Sequence, residues 1–194
     1  MSRIASTNAP EGAQLPERHP KAPPFGSKIP SHFGHCFGCG DLHPTGLHLV
    51  AYAGDGLDIT AEFTVTENHQ GAPGLAHGGL LSLALDEALG KLMWLLRAPA
   101  VTARLETDFL KPVPIGTTLY ISAHITGRVN RKVYTIAEGR LNSIDGPIAV
   151  RAAALYVIVP MDHFLNNAPK EYLEQISKVP EILAFVDPDF EINP

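Results

Sequence analysis

The spacing of apolar positions changes period twice along the chain. Residues 80–96, reading LLSLALDEALGKLMWLL, are apolar on almost every face, which predicts a helix buried over most of its surface. On both sides of it the period falls to two. Residues 47–53 and 57–65 alternate about a Gly54-Asp55-Gly56 turn, the pattern of a hairpin. Beyond Arg97 and Pro99, residues 100–110, 117–129, 132–143 and 147–159 alternate in the same way, with turns at Asn130-Arg131 and Asp145-Gly146. Two strands, one long helix and a four-strand meander make an α+β fold with an antiparallel sheet. Periodicity is absent outside this span. Residues 1–33 form a Pro-rich polar arm, extended or partly disordered. Residues 34–159 form the domain, and residues 160–194 form an extension with a short helix expected over 169–178.

Two polar features interrupt the apolar helix. Asp86 sits near its middle among Leu83, Leu85 and Leu89, where an ionised carboxylate is costly unless paired, hydrogen-bonded or used. At its start, His77-Gly78-Gly79 places no long side chain over the first-turn N–H groups. These N–H groups and the positive end of the dipole suit an oxyanion or a carbonyl oxygen. Gly78 and Asp86 are eight residues apart, roughly 12 Å along one helix. Reacting atoms must approach within about 3–3.5 Å, so one chain cannot bring both groups to one carbonyl. Two such helices packed antiparallel can, and the chemistry calls for a dimer. Glu87 is the competing acid, but Glu87 and Lys91 at i, i+4 read as a solvated pair.

Composition narrows the function class. A net charge of −5 without a Lys/Arg run argues against nucleic acid. Asp86, Glu87 and Lys91 interrupt the best candidate for a membrane span, and the polar N-terminus lacks the apolar core of a secretory signal. The expected location is cytoplasmic. Cys36 and Cys39 form a C-x-x-C among His32, His35 and His43, the shape of half a zinc site. With no second C-x-x-C, the expectation is a Gly-supported loop with reduced thiols and no metal. A metal site and a disulfide are the alternatives.

HQGAPGLAHGGLLSLALDE over residues 69–87, CFGCG followed by GLHL, and TDFLKPVPIG over residues 107–116 together resemble the hotdog-fold acyl-CoA thioesterases, in their PaaI-like and THEM4-like branch. The similarity covers about residues 34–159. It implies a long central helix wrapped by a five- to six-stranded antiparallel sheet. The implied reaction hydrolyses acyl-CoA to free acid and CoA in a homodimer or dimer of dimers, with no cofactor. Carried over by position, Gly78 supplies the N–H for the thioester oxygen, and Asp86 of the partner chain is base or nucleophile. Thr102 helps position the attacking water, and His77 shapes the turn. Many relatives carry Asn or Gln where this chain has Gly71, which leaves His69 and Gln70 as substitutes. Gly79 and Ser82 complete the expected substrate contacts. A hotdog dehydratase is the rival enzyme, but its acid follows the loop His by fourteen residues, and here that position is Leu83. A non-catalytic acyl-CoA-binding protein is the other rival, and it has no need of Asp86.

Overall fold

The apolar run after His77 forms α1 (Gly78–Lys91), and one further turn, α2 (Met93–Leu96), continues it beyond Leu92. The computed structural model describes residues 5–167 together with Pro169 and Tyr172. The single helix expected over 80–96 is therefore divided at Leu92, whose N–H bonds the Leu89 carbonyl three residues back. Arg97, at φ 49°, turns the chain out of the helix, and Pro99 prevents its resumption. Leu81, Ala84, Leu85, Ala88 and Leu89 are buried and lie at the i, i+3, i+4, i+7 spacing of one helix face. Each buried leucine contributes on the order of 1.5–3 kcal/mol.

That face packs on an antiparallel sheet. In chain order the strands are β1 (Lys28–Ile29), β2 (Val50–Ala53), β3 (Asp58–Thr64), β4 (Gln70–Ala72), β5 (Leu75–Ala76), β6 (Ala100–Phe109), β7 (Thr118–Val129), β8 (Lys132–Leu141) and β9 (Ile148–Ile158). Seven of them form one sheet in the order β1-β2-β3-β7-β8-β9-β6. Alternation is plain on β7, where Leu119, Ile121, Ala123 and Ile125 are buried toward the helix. The expected hairpin appears as β2–β3, but the expected four-strand meander holds only for β7–β8–β9, because β6 crosses to the far edge and pairs with β9 while β7 pairs with β3.

Three features depart from the sequence reading. The sheet has seven strands rather than five or six, because the arm contributes β1, paired with β2. The arm also lies against the domain. Gln14 bridges Arg128, the His19 N–H bonds the Leu95 carbonyl, and Arg18 donates to the carbonyls of Gly54 and Gly56. Finally, the loop before the helix folds as a small hairpin, β4–β5. Beyond β9 the chain forms α3 (Asp162–Asn167), and the helix expected over 169–178 lies outside the described residues apart from Pro169 and Tyr172. Among the described residues no helix is long and apolar enough to cross a membrane.

Candidate active site

Asp86 meets the sheet where β6 and β9 run side by side. Thr102 of β6 and Tyr156 of β9 are register partners, so both side chains reach one point on the same face. Thr102 Oγ1 donates to Asp86 Oδ1 at 2.9 Å, and the Tyr156 hydroxyl donates to the same oxygen at 2.8 Å. The hydroxyl also lies 2.7 Å from the Asp86 carbonyl oxygen, and its single proton is shared between the two. A bulge follows Thr102 before Arg104, the kind of irregularity that re-aims a side chain beside a site. Tyr156 is 3% exposed. Its burial, and then the neighbouring Asp86 charge, hold its pKa well above the ordinary value, so it remains a donor.

Oδ1 is thus held by two hydroxyls, while Oδ2 has no hydrogen-bond partner among the described residues. Asp86 lines a cleft of about 590 Å³ whose walls include Met93, Trp94, Val101, Met161 and Phe164. An oriented carboxylate with one uncommitted oxygen beside an apolar cleft can accept a proton from water or attack a carbonyl. Sequence reasoning placed Thr102 here and missed Tyr156. The available signal was a tyrosine inside an apolar strand, whose hydroxyl needs a partner once buried.

At the other end of the helix, His77 is the N-cap, and its Nδ1 accepts the Gly79 N–H at 2.9 Å. The N–H groups of Leu80 and Leu81 bond the His77 carbonyl. The first turn expected to be bare from the sequence is therefore largely covered, and the Gly79 N–H, expected as a substrate contact, is engaged by His77. The Gly78 N–H makes no hydrogen bond among the described residues. Beside it stands the Phe109 ring, 3.4 Å from where a Cβ would sit. Ser82 is half-buried and lies between Gly78 and Asp86 on one stripe of the helix at i+4.

The loop residues take structural places. His69 is 2% exposed; its Nδ1 accepts the Thr66 N–H at 3.0 Å, and its Nε2 lies 3.3 Å from the Gly46 carbonyl. Both ring nitrogens are engaged and the ring is sealed, so His69 is not placed to touch a substrate. Gln70 Oε1 accepts the Gly74 N–H at 2.9 Å, and Gln70 Nε2 donates to the Glu67 carbonyl at 3.3 Å. Gln70 thereby braces the β4–β5 turn. At Gly71 a Cβ would fall 2.7 Å from His77 Cα, so this backbone has no room for the Asn or Gln side chain that the resemblance leads one to expect there.

Glu87 differs most from its reading as a solvated acid. Lys91, at 2% exposed, lies 3.4 Å from Glu87 Oε1, and the Glu87 side chain is 12% exposed. Lys91 Nζ also donates to the Pro30 carbonyl at 2.8 Å. The loop carrying both cysteines covers the pair. Burial, and then the neighbouring Cys39, raise the Glu87 pKa. Its oxygens are committed to His32, Cys36 and Lys91, which removes Glu87 as a competitor for the base.

Comparison with known proteins bears on this arrangement. Residues 73–138 match the family model described as Thioesterase superfamily. The acyl-coenzyme A thioesterase THEM4 of Xenopus laevis is 30% identical over 88 residues, which cover 45% of this chain and 39% of that protein. The MIOREX complex component 3 of Saccharomyces cerevisiae is 33% identical over 138 residues, 66% of this chain and 49% of that protein. The chain thus spans less than half the length of either relative. Among solved structures, the E. coli PaaI protein from the phenylacetic acid degradation operon superposes with a TM-score of 0.54 at 19% identity, covering 59% of this chain and 81% of that one. This last likeness concerns the fold.

Proposed function

We propose that this chain, which belongs to the hotdog-fold thioesterase superfamily, hydrolyses acyl-CoA thioesters to free acid and CoA. The observation that carries the reading is Asp86, with Oδ1 clamped by Thr102 and Tyr156 and Oδ2 uncommitted beside an apolar cleft. The Gly78 N–H, aided by the helix dipole, donates a hydrogen bond to the thioester oxygen and stabilises the negative charge that develops there. Asp86 either takes a proton from a water whose oxygen attacks the acyl carbon, or attacks that carbon itself to form a mixed anhydride that water then hydrolyses to free acid and the carboxylate. The thiolate of CoA leaves without strong acid assistance, since a thiol has a pKa near 8.5. One acid suffices for such a leaving group. The acyl chain lies in the cleft that Trp94 and Met93 help to wall.

The site is completed by a second copy. Gly78 and Asp86 stand roughly 12 Å apart along α1, so the carbonyl held by one chain is attacked under control of the other. The two edges of the sheet support this reading. β1 has two residues, whereas β6 has ten and is terminal in the strand order. A long free edge favours pairing with a copy of itself across a two-fold axis. The working form is then a homodimer or a dimer of dimers. A reducing, cytoplasmic location belongs to the same proposal and is supported by the two free thiols.

The test is CoA release from a panel of acyl-CoA esters by the full chain and by Asp86→Asn. Turnover that depends on Asp86 supports hydrolysis. Hydration or dehydration of an enoyl or hydroxyacyl thioester without CoA release would favour the dehydratase. Tight binding with no turnover would favour the non-catalytic protein.

A further inference from the structure

The cluster around Glu87 has no part in the mechanism above, and its composition is unusual for a helix–loop contact. His32, Cys36, Cys39 and Glu87 each turn one ligand-type atom inward, and these atoms all lie within 4.8 Å of one another. Individual separations are 3.3 Å for Cys39 Sγ to His32 Nδ1, 3.5 Å for Cys36 Sγ to Glu87 Oε2 and 3.6 Å for His32 Nδ1 to Glu87 Oε1. Ligand atoms about 2.0–2.3 Å from a tetrahedral centre stand roughly 3.3–3.8 Å apart. The three separations fall within that range. We propose that His32, Cys36, Cys39 and Glu87 bind one thiophilic divalent cation of the zinc class, as a closed structural site fastening the 32–39 loop to α1.

The surroundings agree with this assignment. Two thiolates and a carboxylate on a divalent cation leave one net negative charge. Lys91, 2% exposed and 3.4 Å from Glu87 Oε1, supplies the balancing positive charge. Ser31 Oγ lies 3.3 Å from Cys39 Sγ, an outer-shell hydrogen bond of the kind that orients a ligand. Gly38, between the cysteines, passes so close that a Cβ would collide with the Glu87 carboxylate. Four protein ligands leave no open position, which makes the site structural rather than hydrolytic. Its effect on the reaction is through position. Glu87 adjoins Asp86, and His32, Phe33 and Cys36 share the cleft with it, so the fastened loop closes one side of the acyl site. The proposal departs from the metal-free expectation, which rested on the lack of a second C-x-x-C and did not count Glu87 among the possible ligands.

The experiment measures metal, not turnover. The full chain, purified without chelator or affinity tag under reducing conditions, should carry about one zinc per chain by elemental analysis and keep it through gel filtration. Exchange for cobalt should give a thiolate charge-transfer band and the intense visible bands of tetrahedral coordination. Cys39→Ser and Glu87→Gln should each lose the metal. His32→Ala is the safer variant, because that ring is 48% exposed, and it should lose the tetrahedral spectrum while its circular dichroism stays wild-type. Less than about a tenth of an equivalent after reconstitution with excess zinc would overturn the proposal, given the affinity of structural sites. Undiminished metal in a folded Cys36→Ser/Cys39→Ser variant would overturn it too. So would a Cys36–Cys39 disulfide that, once reduced, still takes up no cobalt.

Discussion

Asp86 gains its character from two hydroxyls that a linear reading places far from it. Thr102 and Tyr156 fix the carboxylate through one oxygen and leave the other without a hydrogen-bond partner among the described residues. Asp86→Asn keeps the shape and removes the base. Turnover on acyl-CoA should fall at least about 100-fold, the usual scale for a positioned base, with an unchanged circular dichroism spectrum. Near-wild-type turnover would end the assignment. Tyr156→Phe removes a donor that does not itself react. It should lower kcat about tenfold with little change in KM, since orientation is lost and the cleft is not. It should also cost about 1 kcal/mol of stability, the ordinary net worth of a buried hydrogen bond, read from the urea midpoint. A loss confined to stability would make Tyr156 a packing residue only.

The central helix combines two ends with different tasks. Its start is capped by His77 through the Gly79 N–H, which leaves the Gly78 N–H without a hydrogen bond among the described residues. The β4–β5 hairpin holds that cap in place. Gly71 presses on His77, with a Cβ position 2.7 Å from His77 Cα. Gly71→Ala should therefore push the hairpin off the helix start and destabilise the fold by about 1–3 kcal/mol, the range for overpacking. A thermal melt unchanged from wild type would show that the hairpin yields freely. Further along the helix, Lys91→Met should be worse. It leaves the Glu87 carboxylate buried without its ammonium, a loss of about 3–5 kcal/mol for breaking one side of a buried pair. A chemical denaturation curve measures it, and a change below about 1 kcal/mol would place the pair in solvent after all.

For the whole molecule, the question is whether one copy can act alone. The distance along α1 between Gly78 and Asp86 argues that it cannot. Gly78→Pro removes the N–H donor at the first helical position, where proline is well tolerated. Gly78→Pro and Asp86→Asn chains should each be inactive. Mixed under conditions of verified subunit exchange, they form heterodimers in which one site has both defects and the other has neither, so activity should partly return. No recovery with both variants folded would refute the shared site. Sedimentation of the wild-type chain as a monomer at assay concentration, with full activity, would refute it as well.

Much of this protein was legible without its tertiary structure. Period-two runs located the long strands to within a residue or two, and an apolar run located the helix, because burial of one face imposes a regular spacing on any sequence that achieves it. The isolation of Asp86 on that helix was visible for the same reason. What the sequence leaves open is what covers each polar position. Glu87 and Lys91 at i, i+4 read identically whether water or a cysteine-bearing loop lies over them, and packing placed them under the loop. Tyr156 became a partner of Asp86 only through the β6–β9 register, a contact between residues seventy apart in the chain. Two-residue β1 has too few positions to show a period, and it joins the sheet because β2 offers an unpaired edge. Local spacing set the elements by itself. Contacts between distant residues decided which polar groups are buried, which are paired and which remain available for chemistry.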